Sequence, residues 1–264
     1  MIKVDLRLPF GDHNDLSIWR PKEQAGRLPV IIYSPGFSGG KDLGTGLAFE
    51  LCAAAVAASM AFVSFTPFGW PETGGADADF TYGRWSQNIE DIFHWLSEQS
   101  WVDAARVGCV AFSSGTTTAI RYAQRSPDLK YVISVATCLS VHVGMNDSPV
   151  RRGMQELLVE KTGVIPDYFG KKVSEKFYID SICNAPVFRM AETKCPVFFL
   201  QGTKDNLWRR SDAWIGHEAL LRAGLPTKYV EVVGGDHGLS EHTAQGVAES
   251  MQWLRELGMV GGQP

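Results

Sequence analysis

Short apolar runs alternate with amphipathic segments along most of this 264-residue chain. Apolar runs of about four to eight residues are typical of buried strands, whereas longer segments with a period of about 3.6 residues are typical of helices. The pattern predicts strands at residues 2–8, 15–19, 30–34, 61–66, 107–112, 131–136, 197–201 and 228–233. It predicts helices at residues 47–59, 84–99, 116–124, 211–223 and 241–256. From residue 30 onward strands and helices take turns, which predicts the α/β fold class, with an eight-stranded, mostly parallel sheet and helices on both faces.

Two segments depart from this alternation. Residues 2–8 and 15–19 alternate apolar and polar positions, which predicts an antiparallel hairpin at the edge of the sheet. Residues 139–193 form a long excursion after a strand, with helices predicted at 150–162 and 173–189. An excursion of this length is usually a functional lid or a packing insertion.

Composition excludes several classes of partner. Hydrophobic residues make up 45% of the chain, charged residues 20%, and the net charge is −4. No Lys/Arg block exceeds a pair, so no nucleic-acid surface is expected. Residues 47–65 carry a single charge, Glu50, and are nearly long enough to span a bilayer. An Ala-rich helix followed by a buried strand explains this segment, so no membrane span is expected.

The cysteines and the N-terminus bear on the compartment. Five cysteines, with no Cys-x-x-Cys pair, do not make a disulfide framework, and most lie in or beside apolar runs. The first seven residues alternate like a strand and lack the apolar core of a signal peptide. Both features predict a cytoplasmic protein, because free thiols persist in a reducing compartment.

A sharp turn between a predicted strand and a predicted helix is the most informative motif. Ser113 stands at its apex, with the small residues Ala111 and Gly115 two positions to either side. Such a turn crowds the backbone, and centring it on Ser114 would put bulkier residues at the crowded positions. This pattern is that of a nucleophile elbow, with Ala in place of the first Gly.

A serine nucleophile needs a base, and the base needs an orienting acid. His237 follows the last strand in a glycine-rich loop, and Asp205 follows the preceding strand. Both loops are predicted at the sheet edge from which Ser113 projects. Two other acids compete with Asp205: Asp236 adjoins His237 in sequence, which rarely allows the side chains to face each other, and Asp212 falls within a helical pattern. The remaining histidines lack a strand-end context: His13, His94, His142, His217 and His242.

A glycine-rich loop, residues 34–40, follows the strand at 30–34. Backbone N–H groups best stabilise the charge that acyl transfer builds on a carbonyl oxygen. We expect an oxyanion hole formed by the N–H of Phe37 and that of Ser114. Phosphate binding is the alternative for such a loop, but the spacings of nucleotide-binding glycine motifs are missing. No His/Cys/Asp/Glu cluster has zinc-like spacing, so no cofactor or metal is expected.

These motifs together resemble the α/β-hydrolase superfamily, over about residue 30 to the last predicted helix. Residues 84–96 and 235–238 are similar to the corresponding segments of its dienelactone-hydrolase-like and polyester-hydrolase-like branches. Dienelactone hydrolases proper use a cysteine where this chain has Ser113. The resemblance therefore implies a serine esterase of one α/β-hydrolase domain, residues 1–264, with a small cap insertion at about 139–193.

The expected activity is the hydrolysis of carboxylic esters of small to medium acyl groups through an acyl-enzyme intermediate. The substrate is expected to be a small molecule. Four residues in or beside loops at the active edge are candidates for lining its pocket: Trp70, Leu139, Leu207 and Trp208. Two alternatives stay open: a peptidase or amidase with the same triad, and a homologue that binds a ligand without turnover.

Overall fold

The computed structural model describes residues 1–8, 14–24, 26–37, 39–44, 46–70, 73, 80–141, 167–168 and 171–260. The strands within these residues are β1 Ile2–Arg7, β2 Asp15–Arg20, β3 Leu28–Ser34, β4 Ala61–Thr66, β5 Val102–Phe112, β6 Val132–Val135, β7 Asp167–Tyr168, β8 Lys171–Lys172, β9 Val197–Gly202 and β10 Thr227–Val232. The α-helices are α1 Leu47–Ala57, α2 Tyr82–Ser97, α3 Ser114–Arg125, α4 Glu175–Cys183, α5 Arg210–Arg222 and α6 Thr243–Glu256.

Eight of the strands form one sheet in the order β1-β2-β4-β3-β5-β6-β9-β10. Strand β2 pairs antiparallel with β1 and β4, and all other neighbours are parallel. All eight predicted strands and the predicted edge hairpin are therefore confirmed. Because parallel strands present their carboxyl ends at one edge, the loops after β3, β5, β9 and β10 meet there.

Two hydrophobic layers sandwich the sheet. Helices α1 and α6 cover one face, where Leu51 and Leu254 pack against strand residues such as Ile133. Helices α2, α3 and α5 cover the other, where Trp85 and Ile120 are fully buried. The central strands β3 and β4 are buried on both sides, as their continuous apolar sequences require. This architecture confirms the predicted fold class.

The segment 139–193 departs from its sequence prediction. The helix predicted at 150–162 lies outside the described residues. The single helix predicted at 173–189 is wrong: α4 ends at Cys183, and a 3₁₀ helix runs over Pro186–Glu192. Pro186 explains the break, because proline disfavours helical backbone at the residue before it, and Ala185 is extended (φ −61°, ψ 125°).

Helix α1 is 11 residues long, and residues 58–60 connect it to β4, as the sequence of residues 47–65 predicted. Within the described part of the chain, no helix is long and apolar enough to cross a membrane. The five cysteines are free thiols, four of them buried and Cys183 exposed. Burial raises the pKa of Cys52 and Cys195 to about 12, so these two behave as small apolar side chains.

Candidate active site

Strand β5 turns sharply into helix α3 at Ser113. This residue has φ 53° and ψ −124°, a left-handed backbone that is uncommon outside glycine. Its N–H donates to the carbonyl of Val135 at 2.9 Å, and the Thr116 hydroxyl donates to its carbonyl at 2.7 Å. A backbone conformation of this kind costs about 1–3 kcal/mol. The two hydrogen bonds hold Ser113 in it at the apex of the turn. Ser114 is the first residue of α3.

Two side chains complete a hydrogen-bonded line that starts at Ser113. His237 Nε2 lies 3.1 Å from Ser113 Oγ, and His237 Nδ1 lies 3.0 Å from Asp205 Oδ2. The Asp205 side chain is fully shielded from solvent and that of His237 is 18% exposed. The ring of Phe112 packs against the imidazole, with centroids 5.1 Å apart. The three residues singled out in the sequence are thus joined by two hydrogen bonds, with His237 between Ser113 and Asp205.

Backbone contacts between two loops bring His237 and Asp205 together. The Lys204 N–H donates to the carbonyl of Gly235 at 2.8 Å, and the Gly234 N–H donates to the Thr203 hydroxyl at 2.8 Å. The loop after β9 is therefore bonded directly to the loop after β10. Parallel pairing of these two strands, which ends at Gly202 and Val232, sets the register of this contact.

Four hydrogen bonds converge on the Asp205 carboxylate. Oδ2 accepts from His237 and from Gln201 Nε2 at 2.9 Å, and Oδ1 accepts the N–H groups of Leu207 at 2.9 Å and Trp208 at 3.0 Å. Burial raises the pKa of Asp205, but the hydrogen bond and charge of His237 and the two backbone N–H groups outweigh it and leave this pKa below its ordinary value. Asp205 is therefore ionised at neutral pH and holds Nδ1 of the imidazole as the protonated nitrogen.

Gln201 is a member of this site that sequence reasoning missed. Its Oε1 accepts the N–H of Thr137 at 2.9 Å, which fixes the amide so that Nε2 faces Asp205. The residue is fully buried near the end of β9. No spacing rule marks a strand-end glutamine, although its polarity within an apolar run was a usable signal.

The competing acids have other partners. Asp212 accepts the N–H of Leu139 at 2.7 Å, the N–H of Ser140 at 3.0 Å and the Ser140 hydroxyl at 2.6 Å. Asp236 accepts the N–H of Ser240 at 2.8 Å. Asp212 therefore fixes the backbone of residues 139–140, and Asp236 fixes that of Ser240. Asp205 is the acid that faces the imidazole.

The loop after β3 lies directly against the elbow. A Cβ at Gly115 would lie 2.3 Å from the carbonyl oxygen of Pro35 and 2.4 Å from that of Ser34. Only glycine allows so close an approach. The backbone that leads into Phe37 thus runs alongside Ser113, and Ser114 contributes a first-turn N–H, which has no acceptor within its own helix. Their joint role as an oxyanion hole remains a prediction.

The four residues predicted to line a pocket fall in different surroundings. The buried Trp70 donates its indole N–H to the Gly39 carbonyl at 2.8 Å and packs edge-on against Phe37. Leu139 is fully buried and faces α5, and Leu207 is partly buried against the core. Trp208 is buried and reaches Ser113 itself. A substrate-binding role for the four remains a prediction.

A cavity of about 600 Å³ lies beside Ser113 and His237 on the α1 face of the sheet, where Phe112 and Gly238 line it. Its walls come from the loop after β3, from α1 and from the ends of the central strands. Its lining is mostly apolar and includes Phe37, Leu43, Leu47, Phe112 and Val135. None of the four residues predicted from sequence is among the described residues that line it. Within the described residues, no group of three or more His, Cys, Asp or Glu side chains is arranged to hold a metal ion.

No protein-family model matches the chain, and a search of curated proteins finds no significant relative. Solved structures are similar over nearly the whole length. Est1E from Butyrivibrio proteoclasticus has a TM-score of 0.77 at 15% identity, with 97% of this chain and 98% of that chain covered. DcsB, solved in complex with its substrate analogue, has a TM-score of 0.76 at 16% identity, with 99% and 100% covered.

A puromycin-hydrolyzing peptidase of Mycobacterium tuberculosis has a TM-score of 0.72 at 17% identity, with 99% of this chain but only 40% of that chain covered. These similarities, with the strand order, show that the chain has the α/β-hydrolase fold. The structures it resembles are esterases and other hydrolases. At these identities the likeness concerns the fold, and function has to be argued from the site.

Proposed function

We propose that this protein is a serine hydrolase that cleaves carboxylic esters of small to medium acyl groups through an acyl-enzyme. One observation carries the proposal: Ser113 Oγ lies 3.1 Å from His237 Nε2, and Nδ1 of the same ring lies 3.0 Å from a buried, ionised Asp205. A carboxylate on Nδ1 leaves Nε2 unprotonated, so that it can accept the serine proton.

In the acylation half, Ser113 Oγ attacks the ester carbonyl while its proton moves to His237 Nε2. The carbonyl π electrons move onto oxygen, and the N–H groups of Phe37 and Ser114 would stabilise that oxyanion. The intermediate collapses, the C–O bond to the alcohol breaks, and His237 returns the proton to the departing oxygen. Asp205 stabilises the imidazolium between these steps.

In the deacylation half, His237 takes a proton from water, and the water oxygen bonds to the acyl carbon. The bond from that carbon to Ser113 Oγ then breaks, Oγ receives the proton from His237, and a carboxylic acid leaves. The apolar cavity beside the triad supports an uncharged acyl or alcohol group, since most of its lining offers no partner for a charge.

The test is a covalent probe combined with two substrate panels. A fluorophosphonate should add once, at Ser113, and Ser113→Ala should lose at least about 10⁴-fold in kcat. Ser114→Ala is the matched control, because it removes a neighbouring hydroxyl and keeps the backbone N–H. Labelling at Ser114, or full activity in Ser113→Ala, would contradict the assignment.

The substrate panels separate the alternatives. p-Nitrophenyl acetate and butyrate report esterase activity, and aminoacyl p-nitroanilides report the peptidase activity that the similarity to a puromycin-hydrolyzing peptidase suggests. Faster kcat/KM on the anilides would favour the peptidase. Probe labelling without turnover of either panel would favour a ligand-binding homologue.

A further inference from the structure

The indole of Trp208 lies on the nucleophile. Its Nε1 is 2.9 Å from Ser113 Oγ, and the Trp208 side chain is buried, with the residue 2% exposed. An indole nitrogen can only donate, so the direction of this bond is fixed: Trp208 donates and Ser113 accepts. Neither the elbow motif nor the triad requires such a donor.

This bond sets the position of the serine proton. The Ser113 hydroxyl has one proton and accepts through its lone pairs. Because Trp208 occupies an acceptor position, the hydroxyl proton cannot point at the indole and is left to His237 Nε2, 3.1 Å away. Trp208 therefore selects the hydroxyl orientation that proton transfer to His237 needs.

The backbone of Trp208 is held by the acid of the triad. Its N–H donates to Asp205 Oδ1 at 3.0 Å, while Oδ2 of the same carboxylate holds His237. A closed circuit results, from Asp205 through His237 and Ser113 to the Trp208 side chain and back through the Trp208 backbone. One carboxylate thus positions both the base and the donor on either side of Oγ.

We propose that Trp208 is a catalytic hydrogen-bond donor that stabilises negative charge on Ser113 Oγ and so promotes its departure during deacylation. This role rests on the proposed function. It makes Trp208 the second side chain, beside His237, that acts directly on Ser113 Oγ. It differs from pocket lining, because it acts on the reacting oxygen.

The two half-reactions should respond differently. In the resting enzyme the indole already bonds the neutral hydroxyl, so part of its stabilisation is present before attack. In the acyl-enzyme, Oγ is an ester oxygen and a weaker acceptor. When the bond between Oγ and the acyl carbon breaks, its electron pair goes to Oγ, and a hydrogen bond to a charged oxygen is roughly twice as strong as one to a neutral oxygen. Loss of the donor should therefore slow deacylation more than acylation.

The experiment measures both rates with stopped-flow kinetics on p-nitrophenyl acetate. Trp208→Phe removes the N–H, and 3-benzothienylalanine at position 208 replaces the N–H by sulfur while keeping the two-ring shape. We expect deacylation to slow about tenfold or more, because the lost hydrogen bond is to a charged oxygen. We expect acylation to change by less than about threefold. Intact mass spectrometry should show more acyl-enzyme at steady state than in the wild type.

Trp253→Phe is the control, since Trp253 is a buried tryptophan that packs on Tyr131 and Phe198 away from the triad. It should leave both rates unchanged. Equal slowing of both half-reactions in the benzothienyl variant would mean that Trp208 is structural, and unchanged rates would mean that its donor has no role. Either result overturns the proposed role of Trp208 but does not contradict the proposed esterase function. A wild-type protein that forms no acyl-enzyme would instead overturn the proposed function, and this role with it.

Discussion

Replacing Asp205 by Asn should invert the hydrogen bonding on the side of the carboxylate that faces His237 while changing almost no volume. The carboxylate accepts four hydrogen bonds, two on each oxygen. In Asp205→Asn the amide oxygen can keep the backbone N–H groups of Leu207 and Trp208. The amide N–H₂ then faces His237 Nδ1 and Gln201 Nε2, both of which are donors in the native arrangement.

Neither neighbour can adapt without a cost. Gln201 cannot turn its amide without losing the bond from the Thr137 N–H to its Oε1, which is 2.9 Å long. His237 can accept from the new amide only through an unprotonated Nδ1, which places its proton on Nε2, opposite Ser113. The base is then unable to take the serine proton, and a tautomer error of this kind costs about 10⁴-fold in kcat.

The assay is kcat on a p-nitrophenyl ester, with circular dichroism and thermal unfolding to verify the fold. Asp236→Asn is the matched control, because it makes the same change at the residue next to His237, where the carboxylate caps the N–H of Ser240 instead. We expect this control to stay within about threefold of the wild type, as is usual for exposed sites. A greater loss in Asp236→Asn or Asp212→Asn than in Asp205→Asn would refute the assignment of the acid.

Three further predictions concern the support of the site. Ester hydrolysis should be unchanged after overnight treatment with EDTA, and a loss that added metal restores would contradict a metal-free mechanism. Gly115→Ala should lower the free energy of unfolding by about 1–3 kcal/mol in chemical denaturation and should reduce kcat, because its Cβ would lie 2.3 Å from the Pro35 carbonyl oxygen. Burial raises the pKa of Asp180, but the bidentate bond from Arg121 outweighs it and leaves this pKa below its ordinary value. The pair therefore stabilises the fold at neutral pH, and this stabilisation is lost as the pH falls through the lowered pKa. Asp180→Asn should therefore lower the free energy of unfolding at pH 7 by about 1–3 kcal/mol, and its difference from the wild type should shrink in acid; a constant difference would argue against this pair.

Much of the fold could be predicted because its signals are local. The eight strands of the sheet are short apolar or alternating runs bounded by polar residues, and burial in a parallel sheet leaves that pattern in the sequence. Most predicted ends of strands and helices differ from the structure by one or two residues, and β5 begins at Val102, five residues before its predicted start. At helix ends the capping residue decides the end. For example, α2 begins at Tyr82 because the Thr81 side chain accepts the N–H of Arg84.

Ser113, His237 and Asp205 could be placed at one edge of the sheet because each follows a predicted strand. Their neighbours could not, because they depend on contacts between distant segments. Trp208 and Ser113 are 95 positions apart, and Gln201 and Thr137 are 64 apart. Sequence periodicity carries no information about which side chain crosses such a gap. The position of Trp208 beside a loop at the active edge made it a candidate for lining a pocket, but the sequence carried no sign of its hydrogen bond to Ser113.

The ends of the proposed cap insertion are tied to elements that also carry the site. At its start, the buried Asp212 of α5 binds the backbone of Leu139 and Ser140. Near its end, Asp180 of α4 binds Arg121, which belongs to the helix that begins at the elbow. Phe177, one turn before Asp180 on α4, packs against Phe37 of the predicted oxyanion loop, with ring centroids 6.4 Å apart. We therefore expect substitutions between these anchors to change the ranking of acyl chain lengths in kcat/KM, and substitutions at the anchors to slow catalysis on every ester as well.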